Sequence, residues 1–258
     1  MTWDPQVYAR FGEERSRPFH DLVGRVRAAH PREVVDLGCG TGVLTASLGR
    51  RWPGAHLVGV DSSPEMVAAA DPAVDVRLGD IATWTPDAPV DVIVTNAALQ
   101  WVPGHLELLP RWVDRLADDG WLALQVPGNS ASASHALLRE TAAEPDFAGL
   151  LSGVLVGPRE VPDAIGYASV LAEAGCEVDA WETTYVHVLD PAGEHGDDAV
   201  LAWMSGTALR PVLAALDDDA REAFVARYGA RLRQAYPRRA WGTPLAFRRV
   251  FAVGQKGP

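Results

Sequence analysis

Three glycines, at positions 38, 40 and 42, alternate within Val34-Val-Asp-Leu-Gly-Cys-Gly-Thr-Gly42, after an apolar run and before a helix-forming stretch. Glycine has no Cβ, so such a loop turns sharply and brings backbone N–H groups close to a ligand. Alone, the loop could be only a tight connection. The residues after it suggest what the ligand is. Asp61 ends the second apolar run, 21 residues beyond Gly40. A carboxylate there can accept from both hydroxyls of a ribose. Asp80 ends the third run in Leu78-Gly-Asp-Ile81, where it can accept from an exocyclic adenine amine while the Ile81 N–H donates to a ring nitrogen. Asn96 ends the fourth, at the edge where open sheets bind ligands. Each of the three could singly be a cap or turn residue. Placed at consecutive strand ends, they point to a nucleoside.

The elements that must position these residues alternate strand and helix, the pattern of a parallel sheet with crossover helices. The expected strands are Val34–Leu37, Leu57–Val60, Val74–Leu78, Asp91–Thr95 and Trp121–Val126. Short apolar runs of this kind suit strands covered on both faces. Helical spacing marks Thr41–Arg51, Pro64–Ala70 and Leu106–Leu116, with Ser63 as N-cap before a proline at the first helical position. Residues 128–160 are small, polar and broken by proline and glycine, which suits an insertion over the sheet's C-terminal edge. A helix is expected over Val161–Ala174, stopped by Gly175. The alternation in Glu177–Leu189 predicts a strand, residues 197–236 return to helical spacing, and Ala246–Val253 gives a last strand. Residues 1–30 read as a helical leader rich in aromatics (Trp3, Tyr8, Phe11) and arginines (Arg10, Arg15, Arg17, Arg25, Arg27). The expected architecture is one α/β domain over 1–258, a doubly wound, mostly parallel seven-stranded sheet. The leader 1–30 covers its site, and the insertions 128–160 and 190–240 form a lid.

Composition narrows the function classes. The 258 residues are long enough for one large α/β core, and 48% hydrophobic with 22% charged residues is ordinary for a globular chain. With 23 basic against 34 acidic residues, the net charge of −11 argues against nucleic acid as a partner. Cys39 and Cys176 stand far apart and the seven histidines are scattered without HExxH or CxxC, so neither a disulfide framework nor a metal site is expected. No basic, then apolar, signal segment opens the chain, and no apolar run approaches the roughly 20 residues that span a bilayer. A cytoplasmic monomer or weak dimer, without membrane contact, is the expectation.

A nicotinamide dehydrogenase would want glycine at 43 for its GxGxxG fingerprint, but Val43 stands there. The set Asp36-Leu-Gly-Cys-Gly-Thr-Gly42, Asp61 and Asp80 instead resembles class I methyltransferases, which use S-adenosyl-L-methionine. The resemblance implies that the loop approaches the methionine part of that cofactor and Asp61 its ribose. The implied cofactor residues are Tyr8, Arg17, Asp36, Gly38, Cys39, Gly40, Asp61, Ser62, Met66, Asp80, Ile81 and Asn96.

Further segments are similar to the trans-aconitate 2-methyltransferase family: Phe11–Pro18, Asn96–Trp101, Gln125–Asn129, Ala174–Asp179, Thr183–His187, Ala208–Pro211 and Leu245–Phe251. The chain departs from that pattern at Gly12, where serine is expected, and at Gly128, where aspartate is expected. The likeness implies a monomethyl ester formed on a small polycarboxylic acid. A carboxylate, with an ordinary pKa of about 4, needs no general base at pH 7. Arginine suits its recognition, because the guanidinium fork matches a carboxylate two bonds at a time. Arg15, Arg210 and Arg248, with Asn129, are the acceptor candidates, and Arg17 could serve either substrate. Gln100, Trp101, Tyr185 and His187 would position the acid. Core packing is an equal reading of Trp101 and Tyr185, and a neutral core role an equal one for His187. Two other functions stay open: the same fold acting on a different small-molecule acceptor, and a module that binds the cofactor without turnover.

Overall fold

The computed structural model of the chain describes residues 12–157 and 159–257, with side chains from Ser16 onward. Tyr8 therefore lies outside the described residues, as does the side chain of Arg15. The helices are α1 (Gly12–Val23), α2 (Val43–Ser47), α3 (Pro64–Ala68), α4 (Leu108–Asp114), α5 (Ala133–Ala142), α6 (Pro145–Ala148), α7 (Ala164–Glu173), α8 (Ala199–Ser205), α9 (Arg210–Ala215) and α10 (Asp218–Ala235). The strands are β1 (Glu33–Leu37), β2 (His56–Asp61), β3 (Asp75–Leu78), β4 (Val90–Asn96), β5 (Leu116–Pro127), β6 (Cys176–Leu189) and β7 (Thr243–Lys256). They form one seven-stranded sheet in the order β3-β2-β1-β4-β5-β7-β6. The pairs β1–β2, β1–β4, β2–β3 and β4–β5 are parallel, while β7 runs antiparallel to β5. This is the doubly wound α/β sheet expected from the sequence.

The chain divides into two compact units: the described residues of 1–127, 161–183 and 249–258, and those of 128–160 and 184–248. In the first, the central strands bury Val35, Leu37, Ile93, Leu122 and Leu124, with Leu109, Trp112 and Val113 of α4 and Tyr167 and Leu171 of α7 against them. In the second, α5 and α6 pack on α10. The Phe147 and Phe224 rings meet edge to face at 5.0 Å, and the Tyr228 hydroxyl donates to the Ser134 carbonyl at 2.9 Å.

Several boundaries differ from the sequence reading, each for a local reason. Among the described residues, the leader is helical over Gly12–Val23. Beyond Gly24, whose N–H closes the helix on His20, the carbonyls of Val26 and Ala28 are taken by Arg51 Nη2 at 2.6 Å and Trp52 Nε1 at 2.9 Å. That support outside a helix corrects the helical reading of residues 24–30. Strand β5 starts at Leu116, paired with Val90, and then makes a short excursion before Trp121 rejoins the ladder opposite Val92. Asp119, at φ 59°, sits in that excursion. Residues 128–160 contain helices α5 and α6, which their small, polar texture concealed. Helix α7 starts at Ala164 because Asp163 caps it, accepting from the Gly166 N–H at 2.8 Å, and Gly175 at φ 87° lies just beyond its end. Among the described residues, no helix is long and apolar enough to cross a membrane.

Candidate active site

The glycine loop is fixed by backbone hydrogen bonds. Gly38 and Cys39 donate to the Val60 carbonyl of β2 at 2.8 and 3.2 Å, so the chain folds across the end of the neighbouring strand. Gly38, Gly40 and Gly42 have φ of 83°, 59° and 73°, a region that favours glycine. At Gly38 a Cβ would overlap the Ala98 side chain just past β4. This is the crevice between β1 and β4, where the strand order reverses and open α/β sheets hold their ligands. At Gly40 a Cβ would meet nothing within 4 Å, so backbone faces open space there. Ala97, next to Asn96, holds φ 55° although it is not glycine, and its N–H donates to the Gln125 carbonyl at 2.9 Å.

Asp61 closes the loop from below. Its Oδ2 accepts from the Gly40 N–H at 2.8 Å and its Oδ1 from the Ser63 N–H at 2.9 Å. A carboxylate has about four acceptor positions, so room remains for two ribose hydroxyls. The sequence suggested a ligand-binding role for Asp61; the structure adds that it anchors the loop. Ser62 beside it is exposed, while Met66 of α3 is buried below. Asp80 is exposed and shapes its turn by accepting from the Ala82 N–H at 2.9 Å, and Ile81 is buried.

Asp36 lies under the loop, 3% exposed, with one oxygen accepting from the Thr45 hydroxyl at 2.5 Å. Burial, opposed by that hydrogen bond and aided by the Asp61 charge, lifts its carboxyl from 3.8 to about 7. Burial, with the Asp36 and Asp61 charges, also pushes the Cys39 thiol well above its ordinary range. Cys39 is thus held as a thiol rather than a nucleophilic thiolate. Both cysteines are free.

Buried side-chain atoms of the first unit without a hydrogen-bond partner among the described residues include Asp36 Oδ1, Asn96 Oδ1, Gln100 Oε1 and Gln125 Nε2. Orphaned atoms of this kind ask for a partner from outside the chain. Two of them, on Asp36 and Asn96, are acceptors bordering the glycine loop. With the carboxylates of Asp61 and Asp80, they match a ligand that offers an ammonium, two hydroxyls and an exocyclic amine. S-adenosyl-L-methionine offers all of these, so the residues present fit that cofactor. Gln100 also donates to the Ala97 carbonyl at 2.6 Å, and Trp101 is half-buried beside it. Arg17 lies with 73% of its side chain exposed, 4.0 Å from Asp21.

The remaining candidates belong to the second unit. Tyr185 and His187 stack with ring centroids 6.4 Å apart, and His187 also stacks on Trp203 at 5.3 Å, with Phe247 completing the group. Asn129 is 4% exposed; its Oδ1 accepts from the Arg248 N–H at 2.7 Å, while its Nδ2 has no partner among the described residues. Half-buried Arg248 donates to the Gly128 carbonyl at 3.1 Å, and half-buried Arg210 begins α9. The structure thus brings Asn129 and Arg248 together, and separately Tyr185 and His187. Among the described residues no group of three or more His, Cys, Asp or Glu could hold a metal.

The sequence reading passed over two residues: Gln125, wholly buried on β5, and Arg249, 4% exposed on β7. The available signal was a polar residue interrupting an otherwise apolar strand, in Trp121–Val126 and before Val250–Val253.

Comparison with known proteins agrees with this geometry. A family profile described as a methyltransferase domain matches residues 9–197. Trans-aconitate 2-methyltransferase from Streptomyces coelicolor is 51% identical over 99% of this chain and 87% of its own. The protein of the same name from Mycolicibacterium gilvum is 48% identical over 98% of both chains. The fold is shared with geranyl diphosphate C-methyltransferase from Streptomyces coelicolor A3(2), solved with S-adenosyl-L-homocysteine. Its TM-score is 0.53 at 17% identity, covering 98% of this chain and 86% of that one. The strand-end carboxylates, the glycine loop and this near-full-length identity lead to one conclusion: the chain belongs to the trans-aconitate 2-methyltransferase family of S-adenosyl-L-methionine-dependent class I methyltransferases.

Proposed function

We propose that the chain methylates one carboxylate of trans-aconitate, releasing a monomethyl ester and S-adenosylhomocysteine. The observation that carries this reading is the 51% identity, over 99% of the chain, to a relative named for that activity. When bound, the cofactor supplies a sulfonium methyl, which a carboxylate oxygen takes while sulfur keeps the bonding electron pair. The chain then needs no base, because a carboxylate is already ionised at neutral pH. Its contribution is alignment of two held partners, the source of large effective concentrations. Asp61 and Asp80 would hold the ribose and adenine, with Ile81, Ser62 and Met66 around them. The 38–42 loop, Asp36 and Asn96 would take the amino-acid end, joined by Tyr8 and Arg17. Gln100, Trp101, Tyr185 and His187 are proposed to orient the acid, and Arg15, Asn129, Arg210 and Arg248 to bind it. Segments 128–160 and 190–240 are proposed as a lid within a single methyltransferase domain. A cytoplasmic monomer or weak dimer completes the proposal.

A screen of small polycarboxylates with radiolabelled S-adenosyl-L-methionine tests it. Label should enter trans-aconitate and be released by mild base, as from an ester. Label that resists base, or that enters no polycarboxylate, rejects the carboxyl reading.

A further inference from the structure

Thr95, near the end of β4, is wholly buried, and its hydroxyl donates to the Leu37 carbonyl of β1 at 2.8 Å. The β1–β4 pairing runs as far as Asp36 opposite Val94, so the hydroxyl takes the next carbonyl along β1, where that register stops. The same Leu37–Gly38 peptide group turns its N–H the other way, to the Val60 carbonyl of β2 at 2.8 Å. With β1 between β2 and β4 in the sheet, the peptide that opens the glycine loop is held from both flanks. A peptide group is a rigid plane, so fixing its C=O and its N–H fixes the direction in which the chain enters Gly38. Gly38 then turns at φ 83°, and Cys39 sends its own N–H to the same Val60 carbonyl at 3.2 Å. Just past Thr95, Ala98 closes on Gly38 so tightly that a Cβ there would overlap the Ala98 methyl. The end of β4 thus sets both the tilt of the first loop peptide and the room beside it. A buried carbonyl that loses its donor carries a desolvation cost, and its peptide plane can relieve that cost only by turning.

We propose that Thr95 is a positioning residue for S-adenosyl-L-methionine: by holding the Leu37–Gly38 peptide, its hydroxyl keeps the 38–42 loop in the shape that receives the cofactor. Thr95 makes its bond within the chain and acts on the cofactor through the backbone. A loop already in place binds without an ordering cost, whereas a loop drawn into place on binding loses affinity by that amount. Threonine suits the position on two counts, since its branched Cβ fits a strand and its hydroxyl reaches the carbonyl. Valine would supply the first without the second. The inference concerns the cofactor alone, so it holds whichever acid accepts the methyl.

Substitutions at Thr95 in the full-length chain separate the hydroxyl from the shape. Thr95→Val keeps the volume and the branching and removes the donor, while Thr95→Ser keeps the donor. Titration calorimetry with S-adenosylhomocysteine should show affinity about tenfold weaker for Thr95→Val, the scale of one lost hydrogen bond, and within about threefold of wild type for Thr95→Ser. Amide hydrogen exchange in the cofactor-free chain should quicken at Gly38 and Cys39 in Thr95→Val and not in Thr95→Ser. Ile93→Val, which trims a wholly buried side chain earlier in β4, controls for general loosening of the strand. Its affinity for S-adenosylhomocysteine should stay within about twofold of wild type, because it costs stability without touching the loop. If Thr95→Val is too unstable to purify, Thr95→Cys, whose thiol is a weak donor, replaces it and should bind about threefold more weakly than Thr95→Ser. Wild-type affinity in the variant that lacks the hydroxyl would overturn the proposal, because the loop would then hold its shape without it. Equal losses in that variant and in Thr95→Ser would assign the effect to packing and overturn it as well. So would a matching loss in Ile93→Val.

Discussion

The loop at residues 38–42 and the aromatic group around His187 both lie within compact units, but they are built from different material. The loop is made of backbone: three glycines at positive φ, two N–H groups on the Val60 carbonyl and one on Asp61. The His187 group is made of side chains, with Tyr185, Trp203 and Phe247 ring against ring. Backbone sites accept almost no substitution, because any Cβ or altered φ moves the donors themselves. Side-chain sites can be repacked one ring at a time at modest cost. A family that keeps one cofactor while adjusting its acceptor would be expected to use the first construction for what stays fixed and the second for what varies.

The largest effect that probes this contrast is Trp203→Ala. Trp203 is 2% exposed, and its truncation should cost about 3–5 kcal/mol in denaturant unfolding of the second unit. S-adenosylhomocysteine affinity should fall far less; an equal loss in calorimetry would break the comparison.

Next in size is a pH effect on the first unit. The folded chain holds the Asp36 proton up to about pH 7, whereas the unfolded chain releases it near 3.8. Between those values the folded state binds more protons, so stability falls as pH rises through the window and levels off above it. The total is on the order of 4 kcal/mol, because each tenfold difference in proton affinity between the two states is worth about 1.4 kcal/mol. Asp36→Asn, which mimics the protonated form, should flatten this slope in cofactor-free melting curves. A slope unchanged in the variant assigns the effect to other groups.

Gly38→Ala comes third. Its φ of 83° and the overlap with Ala98 should together cost about 3 kcal/mol of stability. Cofactor binding should weaken at the same time, because the Gly38 and Cys39 donors must shift. Normal binding by a destabilised variant would separate the loop's shape from its function.

The smallest of the four is Asp61→Ala, scored by binding. Loss of the charge-assisted acceptor should weaken S-adenosyl-L-methionine affinity by about 1.5–3 kcal/mol in all. Because the Gly40 N–H also loses its acceptor, the entropy of binding should become less favourable as the loop loosens. Unchanged affinity removes Asp61 from the site.

What could be read from the sequence follows the same division of materials. Glycine spacing, Asp61, Asp80 and the order of strands and helices are legible because each residue type answers a local backbone demand. The Ser63 cap is of this kind, its hydroxyl accepting from the Met66 N–H at 3.3 Å. Gln125 and Arg249 show in the sequence only as polar interruptions of apolar strands, and nothing there says that they meet. Their meeting, an Arg249 Nη1–H donating to Gln125 Oε1 at 3.4 Å, depends on the β5–β7 register, which is set across residues 128–242 and leaves no local trace. Helix α5 was hidden for a related reason: its capping Ser132 and small residues read as loop until Tyr236, just past the distant α10, accepts from the Ser134 N–H at 2.9 Å.

The place of β7 between β5 and β6 also sets a timetable. Strands β1 to β5 follow one another closely in the chain and can pair as soon as they are made, at a small loop-closure cost. The step from β5 to β7 must wait for residues 128–242. During synthesis the nucleoside edge is therefore expected to take shape first, and the Gln125–Arg249 pairing only when β7 joins the ladder. A nascent or carboxyl-truncated chain would hold the glycine loop and its strand-end carboxylates on a sheet that still ends, unpaired, at β5.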